Sequence, residues 1–289
     1  MWQPCPFITS RISGFGNPNH LPPPNLHPMR ILVTGAGRAI GAATCTELSK
    51  AGHEVVATAR DVSLLDELDV ALRLPLDVTS DESVKAAVEA AGPLDGIINN
   101  AALGGTAPLE TYPIDKFRAM HETNVVGTLR LIQAVVPAWR ERGSGVIVII
   151  GSVQGRVSAP LGGAYGASKF ALEAMTESLH YELRHFGIRT HIIEPGFIAP
   201  GMKDTGELPR PAAYQGLYDE WEGADDTLNA EGRPGPEVVG QAIVDIFANE
   251  DSPLRIPVGA DAELILGTRA QLGDAEFEAV MRATMGLTW

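Results

Sequence analysis

Short apolar runs rich in β-branched residues alternate with longer stretches of helical periodicity from residue 30 onward. The apolar runs predict strands over residues 31–33, 54–58, 72–76, 96–99, 146–150, 188–193 and 254–258. The run 146–150 is apolar at every position, which is typical of a parallel strand covered by helices on both faces. Helices are predicted near residues 40–51, 63–68, 80–91, 114–140, 163–186, 236–249 and 274–284. The alternation predicts an α/β fold, with a doubly wound, mostly parallel sheet in one domain over residues 29–289.

Residues 1–28 depart from this alternation. They contain 7 of the 21 prolines and no acidic residue, so no packed element is predicted there. We interpret them as a disordered or dispensable extension, with a targeting segment as the alternative. Because Met29 directly precedes the first predicted strand, we hypothesise that functional translation begins there. Retention of Met1 in the native protein would contradict this hypothesis.

A second departure lies at about residues 200–235, which are rich in glycine, proline and acidic side chains. Within this segment Tyr214, Leu217, Tyr218 and Trp221 follow the spacing of one helix face. Two interpretations remain open: the face packs on the core, or it forms an aromatic lid over a substrate pocket.

Composition and charge narrow the functional classes. The chain carries 22 basic and 36 acidic residues, a formal net charge of −14, which disfavours nucleic acid and anionic membrane surfaces as partners. No apolar run is long enough for a transmembrane helix. Cys5 and Cys45 are too few for a disulfide framework, which favours a reducing, cytoplasmic location. The 7 histidines show no metal-binding spacing, so no metal is expected.

A glycine-rich loop follows the first predicted strand and leads directly into a helix. Its sequence, Thr34-Gly35-Ala36-Gly37-Arg38-Ala39-Ile40-Gly41, has the spacing Gly-x-Gly-x-x-x-Gly. Glycines allow the backbone to approach a pyrophosphate, and the free N–H groups at a helix start attract its charge. The loop predicts a dinucleotide site, with a glycine turn that only packs helix against strand as the alternative.

Further motifs follow in order: Asn99-Asn100-Ala101-Ala102, Asn124-Val125-Val126-Gly127, Ser152, Tyr165-Gly166-Ala167-Ser168-Lys169 and Pro195-Gly196. Together with the glycine loop they resemble the short-chain dehydrogenase/reductase family. The resemblance implies a Rossmann-type sheet of seven strands with a nicotinamide cofactor across its carboxyl edge. It also implies a small-molecule alcohol or carbonyl substrate and a homodimer or homotetramer.

The resemblance also implies the cofactor-binding residues. They are Gly35, Gly37, Arg38, Ala39, Ile40, Gly41, Arg60, Asp77, Val78, Asn100, Ala101, Tyr165, Lys169, Pro195 and Ile198. The sequence departs from the family pattern at Ala39 and Ala102, where the family has glycine, and at Pro200, where it often has threonine.

The end of the second predicted strand decides between the two nicotinamide dinucleotides. An acidic side chain there accepts hydrogen bonds from a ribose 2′-hydroxyl, whereas an arginine pairs with a 2′-phosphate. Ala59 occupies the acidic position and Arg60 follows it, which resembles NADP-preferring members. Arg38 offers a second positive charge. NAD remains the alternative, with Asp61 as the ribose ligand.

Four residues carry the expected chemistry: Asn124, Ser152, Tyr165 and Lys169. Tyr165 and Lys169 are four residues apart on a predicted helix, so they share one face. A free phenol has a pKa of about 10, and a neighbouring ammonium is expected to lower it, which makes Tyr165 a general acid or base. Ser152 lies 13 residues earlier and is expected to hydrogen-bond the substrate oxygen.

The resemblance implies that Lys169 also holds the nicotinamide ribose and that Asn124 holds a water of a proton relay. The sequence therefore predicts an NADP-dependent oxidoreductase that transfers a hydride between the cofactor and an alcohol or carbonyl of an apolar small molecule. Ser152 and Tyr165 would contact that substrate. The alternatives are a non-catalytic dinucleotide-binding regulator, an NAD-dependent alcohol dehydrogenase, and a relative that catalyses epimerisation or dehydration.

Overall fold

A computed structural model describes residues 27–202, 206–228 and 232–288. The predicted extension therefore lies outside the described residues, apart from residues 27 and 28. The predicted lid segment is described except for residues 203–205 and 229–231.

One parallel sheet forms the centre of the described chain. Its strands are β1 (Arg30–Val33), β2 (Glu54–Ala59), β3 (Leu72–Pro75), β4 (Gly96–Asn99), β5 (Gly145–Ile150), β6 (Ile188–Pro195) and β7 (Arg255–Val258). Over the described residues the sheet has 7 strands in the order β3-β2-β1-β4-β5-β6-β7, and every neighbouring pair is parallel. The chain order reverses direction between β1 and β4, which creates a crevice at the carboxyl ends of these strands.

Helices cover both faces of the sheet. They are α1 (Ala39–Lys50), α2 (Asp81–Ala91), α3 (Ile114–His121), α4 (Gly127–Arg142), α5 (Gly163–Leu183), α6 (Gln215–Leu228), α7 (Glu237–Ala248), α8 (Ala260–Gln271) and α9 (Asp274–Thr284). Helices α1 and α7 pack on one face, whereas α2, α4 and α5 pack on the other. In the described part of the chain, no helix is long and apolar enough to cross a membrane.

The side chains of β5 divide between the two apolar cores. Val146, Val148 and Ile150 join the core beneath α1 and α7, while Ile147 and Ile149 join the core beneath α2, α4 and α5. Successive side chains of a strand point to opposite faces, so a strand buried on both sides must be apolar throughout. The doubly wound fold predicted from the sequence is confirmed.

The helix predicted over residues 63–68 is wrong. A 3₁₀ turn over Val62–Leu65 stands in its place. The guanidinium group of Arg73 on β3 donates hydrogen bonds to the carbonyl oxygens of Leu65 and Leu68, and Leu68 N donates to Leu65 O at 3.0 Å. The chain therefore leaves the 3₁₀ turn through short turns bonded to β3 rather than through an α-helix. The sequence also gives no prediction for α8, whose apolar residues are mostly half exposed and in which Ala262 is the buried residue.

Candidate active site

The candidate site lies along the carboxyl edge of the sheet. The loop after β1 supplies the glycines, the loop after β4 supplies Asn100, the turn after β5 supplies Ser152, and α5 supplies Tyr165 and Lys169. Parallel strands end at the same edge, so residues far apart in the sequence meet there.

The glycine loop is packed too closely for side chains at two of its positions. A Cβ atom at Gly35 would lie 2.9 Å from Ala101 Cα, and φ at Gly35 is +64°. A Cβ atom at Gly41 would collide with the carbonyl group of Gly35. These two positions therefore require glycine for the close approach of the backbone.

Thr34 and Asn100 bind the loops after β1 and β4 together. The Thr34 hydroxyl accepts hydrogen bonds from Asn100 N at 2.9 Å and Ala101 N at 3.0 Å. The Asn100 side chain donates from Nδ2 to Thr34 O at 2.9 Å and to Gly35 O at 3.1 Å. Asn100 therefore fixes the shape of the glycine loop.

The start of α1 fits a pyrophosphate. Its N-cap residue, Arg38, makes no side-chain capping hydrogen bond, and the first turn contains no acidic residue. The N–H groups of a first helical turn have no partner within the helix, and together with the helix dipole they favour an anion. Ile40 and Gly41 lie in this turn, and the exposed guanidinium group of Arg38 adds positive charge. The residues present therefore fit the phosphates of a dinucleotide.

Ala39 adopts a backbone conformation that favours glycine. Its φ is +44°, in the left-handed region, where a Cβ atom costs about 1–2 kcal/mol. We expect Ala39→Gly to raise the free energy of unfolding by about 0.5–1 kcal/mol, because relief of this strain exceeds the added flexibility of the unfolded chain. Denaturant unfolding of the two proteins measures the difference. Ala42→Gly, within α1, serves as the control and should lower stability by about 1 kcal/mol. Equal losses in both variants would contradict the argument.

Arg60 and Asp61 follow β2 and differ in their bonding. The carboxylate of Asp61 accepts hydrogen bonds from Ser63 N at 3.1 Å and Ser63 Oγ at 2.7 Å, and it caps the turn Val62–Leu65. The guanidinium group of Arg60 is exposed and forms no hydrogen bond or ion pair with a described residue. Asp61 is thus engaged locally, whereas Arg60 is available to a ligand.

The remaining predicted cofactor residues lie at the same edge. Asp77 accepts hydrogen bonds from the backbone and hydroxyl of Thr79, which hold the pKa of Asp77 below its usual value. Val78 is buried against Ala101. Pro195 ends β6, and Ile198 is buried 3 residues later.

Ser152, Tyr165 and Lys169 form a compact group. The Ser152 hydroxyl lies next to the Tyr165 phenol and acts to lower the pKa of that phenol. Ser152 Oγ also accepts a hydrogen bond from Gln154 N at 3.1 Å, which fixes its rotamer. Lys169 Nζ donates to Ile150 O at 2.7 Å and lies 5.4 Å from the centroid of the Tyr165 ring.

Burial sets the ionisation of this group. Burial raises the pKa of Tyr165 to about 12, although the hydrogen bond from Ser152 opposes the rise. Burial lowers the pKa of Lys169 to about 8, and the negative charge of Glu173 opposes that fall. The expectation that the pKa of Tyr165 is lowered is therefore not met by the protein groups alone, since burial of the phenol sets the direction of the shift. Tyr165 is protonated at neutral pH, the form that donates a proton.

Asn124 lies in a π-helical turn, Glu122–Val126, between α3 and α4. Its Oδ1 atom accepts a hydrogen bond from Leu103 N at 2.7 Å, and its Nδ2 atom donates to Leu103 O and to Ser168 Oγ, both at 3.0 Å. The hydroxyl of Ser168 in turn donates to Tyr165 O at 2.7 Å. Asn124 thus links the loop after β4 to the helix that carries Tyr165. The water expected at Asn124 stays a prediction.

The helix face predicted from the spacing of Tyr214, Leu217, Tyr218 and Trp221 lies at α6. Part of it is buried in the protein interior and part of it lines a cavity. Tyr218 is buried, with its ring centroid 4.1 Å from Arg210 Cζ. Tyr214 and Leu217 line a cavity of about 310 Å³, together with Leu109 and Leu161. A hydrogen bond to Glu110 raises the pKa of Tyr214. The cavity reaches Gly163, the first residue of α5, two positions before Tyr165.

A family model described as short chain dehydrogenase matches residues 29–208. The chain belongs to this family. Among curated relatives of this short-chain dehydrogenase, 3-ketodihydrosphingosine reductase of Bacteroides thetaiotaomicron is 31% identical over 265 residues, covering 89% of this chain and 98% of that protein. Retinol dehydrogenase 8 of Homo sapiens is 32% identical over 250 residues, covering 79% of this chain and 80% of that protein.

The fold is also found in solved structures. A short chain dehydrogenase from Burkholderia cenocepacia J2315, solved in complex with NADP, is 26% identical, covers 91% of this chain and 98% of its own, and superposes with a TM-score of 0.71. Together with the family match, these relatives show that the protein is an oxidoreductase. It acts on an alcohol or carbonyl group of a small molecule with a nicotinamide cofactor.

The sequence predicted no role of their own for two residues of this short-chain dehydrogenase. Thr34 unites the loops after β1 and β4, as described above. Asp261, near the start of α8, accepts a hydrogen bond from Phe197 N at 2.7 Å and lies against Gly196. It fixes the backbone between Pro195 and Ile198. The position of Thr34 at the end of the first strand could have indicated its role. Asp261 has no such local signal, because it binds a residue 64 positions away in the sequence.

Proposed function

We propose that this short-chain dehydrogenase is an NADP-dependent carbonyl reductase of apolar small molecules. The observation that carries the proposal is the placement of Tyr165 next to Ser152 and the buried Lys169, whose Nζ atom lies 5.4 Å from the centroid of the Tyr165 ring. A protonated phenol next to a hydroxyl, at the sheet edge that fits a dinucleotide, matches the needs of proton transfer to a carbonyl oxygen.

The nicotinamide, when bound, supplies the hydride for reduction. The protein residues act on the oxygen of the substrate. Tyr165 donates its phenolic proton to that oxygen, and Ser152 donates a hydrogen bond to it as negative charge develops. The ammonium group of Lys169 stabilises the resulting phenolate, and it would hold the nicotinamide ribose when the cofactor is bound. Asn124, through Ser168, keeps the turn of α5 that contains Tyr165 in place.

A preference for NADP is supported by the end of β2. The exposed guanidinium group of Arg60 fits a 2′-phosphate, and Asp61 is engaged by Ser63. The Burkholderia structure in complex with NADP is in line with this choice. Gly35, Gly37, Ile40 and Gly41 would hold the pyrophosphate, while Asp77, Val78, Asn100, Ala101, Pro195 and Ile198 would line the rest of the dinucleotide.

An apolar substrate is supported by the cavity beneath α6. Leu109, Leu161, Tyr214 and Leu217 give it an apolar wall, and its volume of about 310 Å³ is within the range of small-molecule sites. The carboxylate of Glu110 at its edge disfavours anionic substrates. The two relatives named above are a 3-ketodihydrosphingosine reductase and a retinol dehydrogenase by name, which agrees with an apolar substrate.

The proposal is tested with a series of alkyl ketones and aldehydes of increasing chain length, followed by the oxidation of NADPH. We expect kcat/KM to rise by about fourfold for each methylene that enters the cavity, until the cavity is full. Matched substrates with a terminal carboxylate serve as the control and should be poorer. Equal rates along the series, or a preference for the carboxylates, would contradict the proposed substrate class.

A homodimer or homotetramer is proposed on the basis of exposed apolar side chains. Phe170 and Tyr181 on α5 are 45% and 73% exposed, and Val126 beside α4 is 40% exposed. Such side chains are typical of a surface that a second copy covers. A monomer in sedimentation velocity at micromolar concentration would contradict this. A cytoplasmic location is also proposed, on the basis of the buried free thiol of Cys45, which suits a reducing compartment.

A further inference from the structure

Two buried glutamates, one on α5 and one on β6, lie near the group formed by Ser152, Tyr165 and Lys169. Glu173 lies one helical turn after Lys169 on α5 and is 5% exposed. Glu194, the penultimate residue of β6, is 1% exposed. Carboxylates are rarely buried to this degree unless they are paired. The chemistry proposed above assigns a role to neither of them.

Each of the two carboxyl groups has one guanidinium partner. Glu173 Oε2 accepts a hydrogen bond from Arg255 Nε at 2.9 Å, and Glu194 Oε1 accepts one from Arg156 Nη1 at 3.2 Å. The second oxygen of Glu173, Oε1, is buried and has no donor among the described residues. Burial and the charge of Glu194 raise the pKa of Glu173 to about 7. Two such carboxyl groups hold one proton between them until the pH exceeds this value.

Glu173 also touches both segments that carry the candidate catalytic side chains. A Cβ atom at Gly155 would lie 3.0 Å from Glu173 Cγ and 3.1 Å from Lys169 O. Gly155 closes the short turn that begins at Ser152. The side chain of Glu173, on the helix that carries Lys169, is therefore packed against the Ser152 turn. Its partner Glu194 directly precedes Pro195 of the cofactor segment.

We propose that Glu173 is a positioning residue whose carboxylate, paired with Glu194, keeps Lys169 in its ammonium form and holds the Ser152 turn against α5. The inference deepens the proposed function and rests on it for the role of Lys169. Glu173 and Glu194 thus set the upper pH limit at which Lys169 supports proton donation by Tyr165.

The electrostatic reason lies in the surroundings of Lys169. Its Nζ atom is buried and donates to the neutral Ile150 O, so burial favours loss of the proton. Glu173 supplies the negative charge that opposes this loss. Among the described residues, the other charged or titratable groups around Lys169 and Glu173 are Tyr165 and Glu177 on α5, Arg156 after β5, Glu194 on β6 and Arg255 on β7. Asp261 on α8 is bonded to Phe197 N.

The test is a titration of Lys169 by ¹³C NMR of lysine Cε atoms in the full chain, with Lys169→Arg used to assign the signal. We expect Glu173→Gln to lower the pKa of Lys169 by about one unit, the effect of removing one nearby opposite charge. The alkaline limb of kcat for ketone reduction should move down by the same amount. An unchanged Lys169 pKa in folded Glu173→Gln would overturn the inference. The NMR titration needs no substrate, so its outcome is independent of whether the proposed reaction is correct.

Glu177→Gln is the matched control, because Glu177 also binds Arg255, at 2.6 Å, but lies outside the buried pair. It should leave the Lys169 pKa unchanged. Glu194→Gln is the second variant, and it should leave the alkaline pKa of Lys169 unchanged. Ionisation of Glu173 should appear in the native protein as a near-neutral step in the Lys169 signal. In Glu194→Gln this step should move to lower pH, because the charge of Glu194 no longer raises the pKa of Glu173. An equal fall of the Lys169 pKa in the Glu173 and Glu194 variants would overturn the inference. If Glu173→Gln does not fold, absence of the near-neutral step in the native protein would overturn it.

Discussion

Tyr165→Phe should reduce kcat for ketone reduction by about 10³-fold, within the range that a positioned general acid contributes. The substitution removes the phenolic proton that the substrate oxygen receives, while the ring remains packed beside Ala164. Binding of NADPH, followed by the change in nicotinamide fluorescence, should change little, because Lys169 and the glycine loop are intact. A large fall in kcat with unchanged cofactor affinity separates loss of proton transfer from loss of the site.

Tyr181→Phe provides the control for this experiment. Tyr181 lies on the same helix, but its side chain is largely exposed, and the substitution removes the same hydroxyl group. Its kcat should equal that of the native protein. If Tyr165→Phe keeps more than about a tenth of the native kcat, well above the residual rate expected without a general acid, Tyr165 is not the proton donor.

The fold could be predicted because its signals are local. The all-apolar run that became β5 must be buried on both faces, and the glycine loop after β1 cannot accommodate side chains at Gly35 or Gly41. The order of strands and helices then limits the topology to a doubly wound sheet. The spacing of Tyr165 and Lys169 on one helix likewise placed both side chains on one face, and both are near Ser152.

Other features depend on contacts between distant elements, so the sequence could not reveal them. In place of the predicted helix over residues 63–68, the chain forms short turns whose carbonyl groups bind Arg73 on β3. The direction of the Tyr165 pKa depends on how much water the surrounding elements exclude, which no spacing records. Glu173 and Glu194 are brought together by the packing of α5 against β6, and nothing in the sequence around either residue indicates that its carboxyl group is buried.

The π-helical turn at Asn124 is a further case. The sequence predicts a single helix over residues 114–140, and the chain is helical without interruption from α3 through the π-helical turn to α4. The wider turn at Glu122–Val126 allows the Asn124 side chain to reach both Leu103 and Ser168. Such turns are frequent at functional sites, since they reorient a side chain without ending the helix. Helical periodicity alone does not distinguish them.

Arg60→Ala should weaken the binding of NADPH by about 30-fold, the loss that corresponds to about 2 kcal/mol for a hydrogen bond to a charged phosphate. Its guanidinium group is exposed at the end of β2 and forms no hydrogen bond or ion pair with a described residue, so the substitution breaks no such bond in the free protein. Binding of NADH should change little, because NADH has no 2′-phosphate. Titration of each protein with both dinucleotides, followed by nicotinamide fluorescence, measures the two affinities.

Asp61→Asn is the control that separates Arg60 from its neighbour. The carboxylate of Asp61 already accepts two hydrogen bonds from Ser63, and it would repel a 2′-phosphate. The substitution should therefore leave NADH binding unchanged and keep or slightly improve NADPH binding. Loss of NADH binding in Asp61→Asn, together with unchanged NADPH binding in Arg60→Ala, would make Asp61 the ribose ligand. The protein would then be an NAD-dependent enzyme, and reduction would no longer be the favoured direction.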